Sequence, residues 1–142
     1  MDSGIDFDER KGIPPDERVS VPAAGFVLAG GRSTRMGQDK ALLTLGGEPL
    51  VKRAVRKLSM VCAEVAIAGG AENLMQFGRV IPDESSGCGP LAGIVAALEQ
   101  SSFEWNLFLA VDAPFVPVSV LKALLFMAAG SPSVCVWLEL RV

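Results

Sequence analysis

The sequence predicts a three-layer α/β/α domain with a mainly parallel sheet. Two observations indicate this fold class. Apolar runs of strand length alternate with amphipathic stretches of helix length along most of the 142 residues. The segments that are richest in glycine and charge, residues 28–40, 83–93 and 112–114, each follow a predicted strand. Because the carboxyl ends of parallel strands meet at one edge of a sheet, we expect these three segments to converge there.

The first half of the chain predicts one strand, one helix and a second strand. The apolar run from Ala23 to Leu28 is the first strand, and Ala41 to Leu45 leads to a turn at Gly46-Gly47. Pro49 is predicted to begin a helix, where its missing N–H costs little. The apolar face of that helix comprises Leu50, Val51, Ala54, Val55 and Leu58, and its basic face comprises Lys52, Arg53, Arg56 and Lys57. We interpret the basic face as solvated rather than as a binding surface.

The second half continues the alternation. The predicted strands are Glu64 to Ala68, the end of Arg79 to Asp83, and Trp105 to Val111, and the predicted helices are Ala71 to Phe77, Pro90 to about Gln100, and Val118 to Met127. The run from Trp105 to Val111 is so apolar that we expect a central, buried strand. Val120, Leu121, Leu124 and Leu125 are the expected core face of the last helix. Residues 134–138 could add a further strand.

Composition limits the classes of function. The chain has no histidine and no tyrosine, which excludes Ser-His-Asp and Cys-His catalysis and histidine-containing zinc sites. Cys62, Cys88 and Cys135 have neither metal-site spacing nor the pattern of a disulfide framework, which favours a reducing, cytoplasmic location. No apolar run reaches the length of a membrane span. Any chemistry is therefore expected to use carboxylates, lysine, arginine and a bound metal ion.

The formal net charge of −3 arises at the amino-terminal end of the chain. Residues 1–20 hold six acids and three bases (6 − 3 = 3), and the remaining residues hold ten of each (16 − 6 and 13 − 3). A balanced body gives no basic excess for binding nucleic acid. Residues 1–22 are polar and proline-containing, and they are predicted to be a disordered leader to a domain over residues 23–142.

The segment Leu28 to Lys40 has the composition of a phosphate-binding loop. It reads LAGGRSTRMGQDK and follows the first predicted strand. Adjacent Gly30 and Gly31 allow backbone N–H groups to approach an anion closely, while Arg35 and Lys40 add positive charge. The loop has neither G-x-G-x-x-G nor G-K-[ST], so it is neither a dinucleotide fingerprint nor a Walker loop. A flexible surface turn with solvated charges is the alternative.

The longer string LAGGRSTRMGQDKALL resembles the signature of the molybdenum cofactor guanylyltransferases, which are MobA-like nucleotidyltransferases. Two shorter signatures of that family follow in the same order: D-x5-G-P-L-A-G from Asp83, and V-D-A-P-F-V-P around Asp112. The resemblance implies a Rossmann-like nucleotidyltransferase domain and covers roughly residues 24–129. The family's later asparagine-rich motif is not found after Asp112, so the chain looks C-terminally truncated. A fragment, a frameshifted tail and a divergent short form stay open.

The resemblance also implies an activity, which is transfer of GMP from GTP to a molybdopterin-type cofactor with release of pyrophosphate. Asp112 would bind Mg²⁺, Asp83 would orient the nucleotide, and Arg35 and Lys40 would stabilise charge on the leaving pyrophosphate. The implied catalytic residues are thus Arg35, Lys40 and Asp112, with Asp112 also the metal ligand. The implied nucleotide-binding residues are Leu28, Ala29, Gly30, Gly31, Lys40, Asp83, Gly89, Pro90, Leu91, Gly93 and Asp112.

Several alternatives remain at this point. A related cytidylyl- or sugar-nucleotidyltransferase, an inactive nucleotide-binding fragment and a structural domain without a ligand are the other candidate functions. Asp83 could be a turn-forming carboxylate, and Asp112 could cap the next helix. The expected partners are GTP and the molybdopterin-type cofactor, with no nucleic acid and no membrane. An unpaired edge with exposed Trp137 and Leu138 predicts self-association.

Overall fold

The computed structural model describes residues 22–29, 40–70, 72–82 and 90–131. In chain order the described elements are strand β1 (Ala23–Leu28), a 3-10 turn (Lys40–Leu42), strands β2 (Thr44–Leu45) and β3 (Glu48–Pro49), helix α1 (Leu50–Ser59), strand β4 (Glu64–Ala68), a 3-10 helix (Glu72–Phe77), strand β5 (Val80–Ile81), helix α2 (Pro90–Gln100), strand β6 (Trp105–Ala110) and helix α3 (Val118–Ala129). The predicted leader, residues 1–22, lies outside this part of the chain except for Pro22, as does the further strand predicted over residues 134–138.

The main sheet has four strands in the order β5-β4-β1-β6, and each neighbouring pair is parallel. Val27 of β1 lies beside Ile67 of β4 on one side and Leu109 of β6 on the other. From β1 the chain moves outward to β4 and β5, and it then crosses back to place β6 on the opposite side of β1. The strand order therefore reverses between β1 and β6, and the crevice at the carboxyl ends of these two strands is where open α/β sheets bind ligands.

Helices cover both faces of the sheet. Side chains of a strand alternate between faces, so Ala23 and Val27 of β1 join the core beneath α1 and α3, whereas Ala24 and Phe26 join the core beneath α2. On the α2 side, the rings of Phe26 and Phe108 stack with centroids 5.3 Å apart. Burial of each such side chain contributes about 1.5–3 kcal/mol. The predicted three-layer α/β/α architecture with a parallel sheet is confirmed for the described residues.

Close packing of α1 on β1 depends on Gly25. A Cβ added at Gly25 would lie 2.9 Å from Cys62 Sγ and 3.2 Å from Leu58 Cβ, atoms that are fixed near the end of α1. We predict that Gly25→Ala lowers the free energy of unfolding by about 2 kcal/mol, because overpacking forces the helix away from the sheet. Thermal or urea unfolding measures the change.

Gly93→Ala is the matched control for Gly25→Ala. A Cβ at Gly93 would meet Ala68 and Leu28 at 3.8 Å, which is an ordinary contact. Alanine also has a helix propensity higher than that of glycine by about 1 kcal/mol. Gly93→Ala is therefore expected to keep or raise the unfolding free energy. Equal destabilisation by both substitutions would contradict the proposed role of the Gly25 contact.

The turn predicted at Gly46-Gly47 is confirmed: it joins β2 to β3 in a hairpin, and both glycines have positive φ, 62° and 81°. Two other sequence predictions need correction. Pro49 does not begin α1; with φ −57° and ψ 142° it is the extended residue before Leu50. The strand that begins at Trp105 is not central within the described sheet, because β6 pairs with β1 alone and ends at Ala110. An apolar run indicates side-chain burial, but the number of neighbouring strands depends on the crossovers.

The remaining element predictions are confirmed. Strands β1 and β4 have the predicted limits, α2 spans the predicted range, and Leu121 and Leu125 of α3 are buried while Val120 and Leu124 are half-buried. The helix predicted between Ala71 and Phe77 is a 3-10 helix from Glu72. Within the described part of the chain, no helix has both the length and the apolar character needed to cross a membrane.

Candidate functional site

The candidate site lies at the carboxyl edge of the sheet, where the strand ends are joined by main-chain hydrogen bonds. The amide of Ala29 donates to the carbonyl of Ala68 at 3.1 Å, and the amide of Val111 donates to the carbonyl of Leu28 at 3.1 Å. The amide of Gly69 donates to the carbonyl of Ile81 at 2.9 Å. These bonds extend the sheet by one residue beyond each strand, so the segments that follow β1, β4 and β6 leave a common edge.

Asp112 is presented to solvent at the reversal of strand order. It is exposed and follows Val111, which is tied to the end of β1. The next residues form tight turns, since the amide of Ala113 donates to the carbonyl of Ala110 at 3.1 Å. Among the described residues, none forms a hydrogen bond or ion pair with the Asp112 carboxylate. Helix α3 is preceded by Pro117 and has no side-chain cap, so Asp112 is not the cap of the next helix.

The amino-terminal turn of α2 reaches the same edge. Gly93 is buried against Leu28 and Ala68, which places the start of α2 over the ends of β1 and β4. Leu91 is 64% exposed. Gly93 therefore allows α2 to pack closely against the sheet, whereas Leu91 presents an apolar side chain to solvent at the start of the same helix. Pro90 is the first residue of α2, as the sequence predicts.

Lys40 is the last residue of the glycine-rich segment, residues 28–40. Its side chain is exposed, and its carbonyl accepts a hydrogen bond from the amide of Leu43 at 3.2 Å within the 3-10 turn. The following residue, Ala41, is fully buried in the core beneath α1. The main chain at Lys40 is thus fixed while its ammonium group is presented to solvent. No described contact joins Lys40 to Asp112.

The β2–β3 hairpin after Lys40 is held by the basic face of α1. Arg56 donates two hydrogen bonds to the Glu48 carboxylate, each at 3.1 Å. Arg53 donates to the carbonyl of Leu45 at 3.0 Å. The hydrogen bond from Arg56 lowers the pKa of Glu48, and the same bond raises the pKa of Arg56.

Lys57 belongs to the same basic face but binds a different segment. Its Nζ donates to the carbonyl of Pro114 at 2.5 Å and to the carbonyl of Val116 at 2.7 Å. Lys57 is half-buried, and burial is the main cause that lowers its pKa, with Arg53 and Arg56 adding repulsion. The prediction of a purely solvated basic face was therefore wrong for Arg53 and Lys57. No local sequence signal indicates this contact, because Pro114 is 57 residues away along the chain.

Cys62 has no catalytic features. It lies at the end of α1 against Gly25, and burial raises the pKa of its thiol to about 11. A thiol with such a pKa stays protonated near neutral pH and is a poor nucleophile. Cys62 therefore serves the packing of α1 against Gly25 rather than nucleophilic catalysis.

Several predicted site residues lie outside the described part of the chain. These are Gly30, Gly31, Arg35, Asp83 and Gly89. Of the predicted residues that are described, the structure brings Leu28, Ala29, Gly93 and the segment of Asp112 together at one edge. The convergence predicted from the parallel sheet is confirmed for these members.

Asp112 is the predicted metal ligand that the structure describes at this edge of the sheet. The described residues contain no group of three or more His, Cys, Asp or Glu side chains that could hold a metal alone. Mg²⁺ is commonly bound through one or two carboxylates together with substrate phosphates and water. A single exposed carboxylate at Asp112, unpaired within the described ranges, is therefore a suitable protein ligand for a metal–nucleotide complex.

Comparison with known proteins identifies the family. The sequence profile of the MobA-like NTP transferase domain matches residues 25–141. The chain belongs to this family. A probable molybdenum cofactor guanylyltransferase of Pelotomaculum thermopropionicum is 46% identical to this MobA-like chain over 112 residues, which are 78% of this chain and 55% of that protein. The chain spans about half the length of the curated relatives that it matches.

Solved structures agree with this family. The molybdopterin-guanine dinucleotide biosynthesis protein A of Archaeoglobus fulgidus is 28% identical, with a TM-score of 0.55, and the match covers 75% of this MobA-like chain and 57% of that one. The CMP:2-keto-3-deoxy-manno-octonic acid synthetase complexed with CTP is 17% identical, with a TM-score of 0.66 and coverage of 79% and 49%. The second likeness concerns the fold alone. The predicted Rossmann-like nucleotidyltransferase fold is thus confirmed.

Proposed function

We propose that this MobA-like domain transfers GMP from GTP to a molybdopterin-type cofactor and releases pyrophosphate. The observation that supports the proposal most is the position of Asp112 and of the β1–loop junction on either side of the reversal of strand order. That crevice is where open α/β sheets bind nucleotides. The curated relatives carry the name of this activity.

In the proposed reaction, a phosphate oxygen of the acceptor forms a bond to the α-phosphorus of GTP. The bond from that phosphorus to the oxygen bridging the α- and β-phosphates breaks, and pyrophosphate leaves with the electron pair. Such a displacement needs positioning and charge neutralisation rather than a nucleophilic side chain. A chain without histidine or tyrosine can therefore perform it.

Each residue has one proposed role in this displacement. The backbone N–H groups of Ala29, Gly30 and Gly31 hold the phosphates, and Asp83 orients the nucleotide. Arg35 and Lys40 stabilise the negative charge that develops on pyrophosphate. The carboxylate of Asp112 would hold Mg²⁺, which would neutralise negative charge on the phosphates when bound.

The proposed partners are GTP and the molybdopterin-type cofactor, without nucleic acid or membrane. The balanced charge of residues 21–142 supports the absence of a nucleic-acid surface.

A cytoplasmic location is proposed because the three cysteines lack the number and spacing of a disulfide framework, which suits a reducing compartment. Self-association stays a prediction, because Trp137 and Leu138 lie outside the described residues.

Calorimetric titration with GTP and CTP, each with and without Mg²⁺, tests the nucleotide specificity. We expect GTP to bind at least about tenfold more tightly than CTP, a difference of about 1.4 kcal/mol, and binding to weaken when Mg²⁺ is removed. Tighter binding of CTP would indicate the related cytidylyltransferase. Binding of GTP without release of pyrophosphate in the presence of the acceptor would indicate a nucleotide-binding protein without transferase activity.

A further inference from the structure

The ammonium group of Lys57 connects α1 to the segment that carries Asp112. Its two acceptors are the carbonyls of Pro114 and Val116, at 2.5 and 2.7 Å. Both acceptors lie in the connection between β6 and α3, two and four residues beyond Asp112. One cation therefore holds two turns of the same short connection.

The rest of this connection is anchored to the sheet. The amide of Val111 donates to Leu28 at the end of β1, and the amide of Val116 donates to the carbonyl of Ala113 at 3.5 Å. Val116 is buried in the core beneath α1 and α3. Asp112 thus lies between a fixed point on β1 and a fixed point on α1, although its own side chain is exposed and has no partner among the described residues.

The surroundings of Lys57 argue against an ordinary ion pair. Its charged neighbours on the hairpin and on α1 are Arg53, Arg56 and Glu48, and Glu48 is already bound by Arg56. Within the described ranges, Lys57 forms no salt bridge. A half-buried ammonium with carbonyl acceptors holds main-chain positions, since each bond fixes a point on the backbone.

We propose that Lys57 is a positioning residue that fixes the 111–116 segment and thereby orients the Asp112 carboxylate toward the metal–nucleotide complex. This inference rests on the proposed function for the role of Asp112, but the fixation of the segment is independent of it. The acceptors on Lys57 are main-chain oxygens, so the contact depends on the course of the connection and not on the side chains of Pro114 or Val116.

Lys57→Met tests the proposal, because it keeps an unbranched apolar side chain as far as the ε position and removes the donor. Hydrogen exchange of the peptide that covers residues 110–117 is measured together with GTP binding at several Mg²⁺ concentrations. We expect the amides of Val111, Ala113 and Val116 to exchange about tenfold faster, the size of effect typical of losing a hydrogen bond from a charged donor. We also expect the affinity for GTP in the presence of Mg²⁺ to fall about tenfold, while the affinity for GTP without Mg²⁺ stays within about twofold of that of the unaltered chain.

Matched variants separate positioning from loss of charge. Lys52→Met removes a cation from the exposed side of the same helix and is expected to leave exchange and binding unchanged. Lys57→Arg keeps a cation with several donors. Compared with Lys57→Met, it is expected to restore part of the protection from hydrogen exchange and part of the Mg²⁺-dependent GTP binding. If Lys57→Met does not fold, Lys57→Gln replaces the cation with a neutral amide, which is a weaker donor, and is expected to change exchange and binding in the same direction by a smaller factor.

The outcomes distinguish this inference from the proposed function. Unchanged exchange in Lys57→Met would overturn the inference. Faster exchange with unchanged Mg²⁺ dependence of GTP binding would also overturn it, because Lys57 would then serve stability alone. If the unaltered chain shows no Mg²⁺-dependent GTP binding, the proposed function and the metal-positioning role both fail, and faster exchange would support the fixation of the segment only.

Discussion

Asp112→Asn is expected to lower nucleotidyl transfer by about a thousandfold, because the amide lacks the negative charge with which Asp112 is proposed to hold Mg²⁺. The unfolding free energy should change little, since the carboxylate is exposed and makes no described hydrogen bond or ion pair. Release of pyrophosphate from GTP in the presence of a molybdopterin-type acceptor measures the first effect. Thermal unfolding measures the second.

Glu104→Gln is the matched control for Asp112→Asn. Glu104 is exposed and lies just before the amino-terminal end of β6, whereas Asp112 follows its carboxyl-terminal end, so the same change of charge at Glu104 should leave transfer unaffected. If Asp112→Asn kept its transfer activity, or lost activity only because the domain had unfolded, the assignment of Asp112 would be wrong. Equal losses in both variants would indicate a general electrostatic effect rather than a site.

Lys40→Met is expected to lower kcat/KM by about a hundredfold or more, the usual cost of removing one charged group that stabilises a developing oxyanion. The fold should be unaffected, because the Lys40 side chain is exposed and the local turn is held by main-chain bonds and by the buried Ala41. Pyrophosphate release at saturating and limiting GTP separates an effect on kcat from one on KM.

Lys52→Met provides the comparison for Lys40→Met, since it removes one cation from an exposed helix position and leaves the net charge equal in the two variants. A higher KM with an unchanged kcat would show that Lys40 stabilises bound GTP equally in the ground state and in the transition state. If Lys40→Met retains full activity, the role of this lysine in stabilising pyrophosphate is wrong.

Helix α1 has a larger part in the site than its sequence indicates. Its basic face holds the hairpin that follows Lys40 through Arg53 and Arg56, and it holds the segment that follows Asp112 through Lys57. Two separate site segments are thereby fixed on one rigid element. Sites supported in this way keep their geometry better than sites on unsupported loops.

Local signals in the sequence were sufficient for much of the fold and for the family. The apolar run of β1 and the glycines at positions 46 and 47 predict a strand and a turn, because backbone preference and periodicity act over a few residues. The motif around Asp112 places a carboxylate at a strand end, and the order of the signatures predicts the family.

The tertiary structure alone decided the position of β6 at the edge of the described sheet, the contact of Gly25 with Cys62, and the binding of Lys57 to the Asp112 segment. Each of these depends on which elements become neighbours after the chain crosses the sheet. A lysine on an amphipathic helix has the same local pattern whether its ammonium is solvated or bound to carbonyls 57 and 59 residues away. Sequence periodicity therefore determines which face of α1 is basic, and packing determines what that face holds.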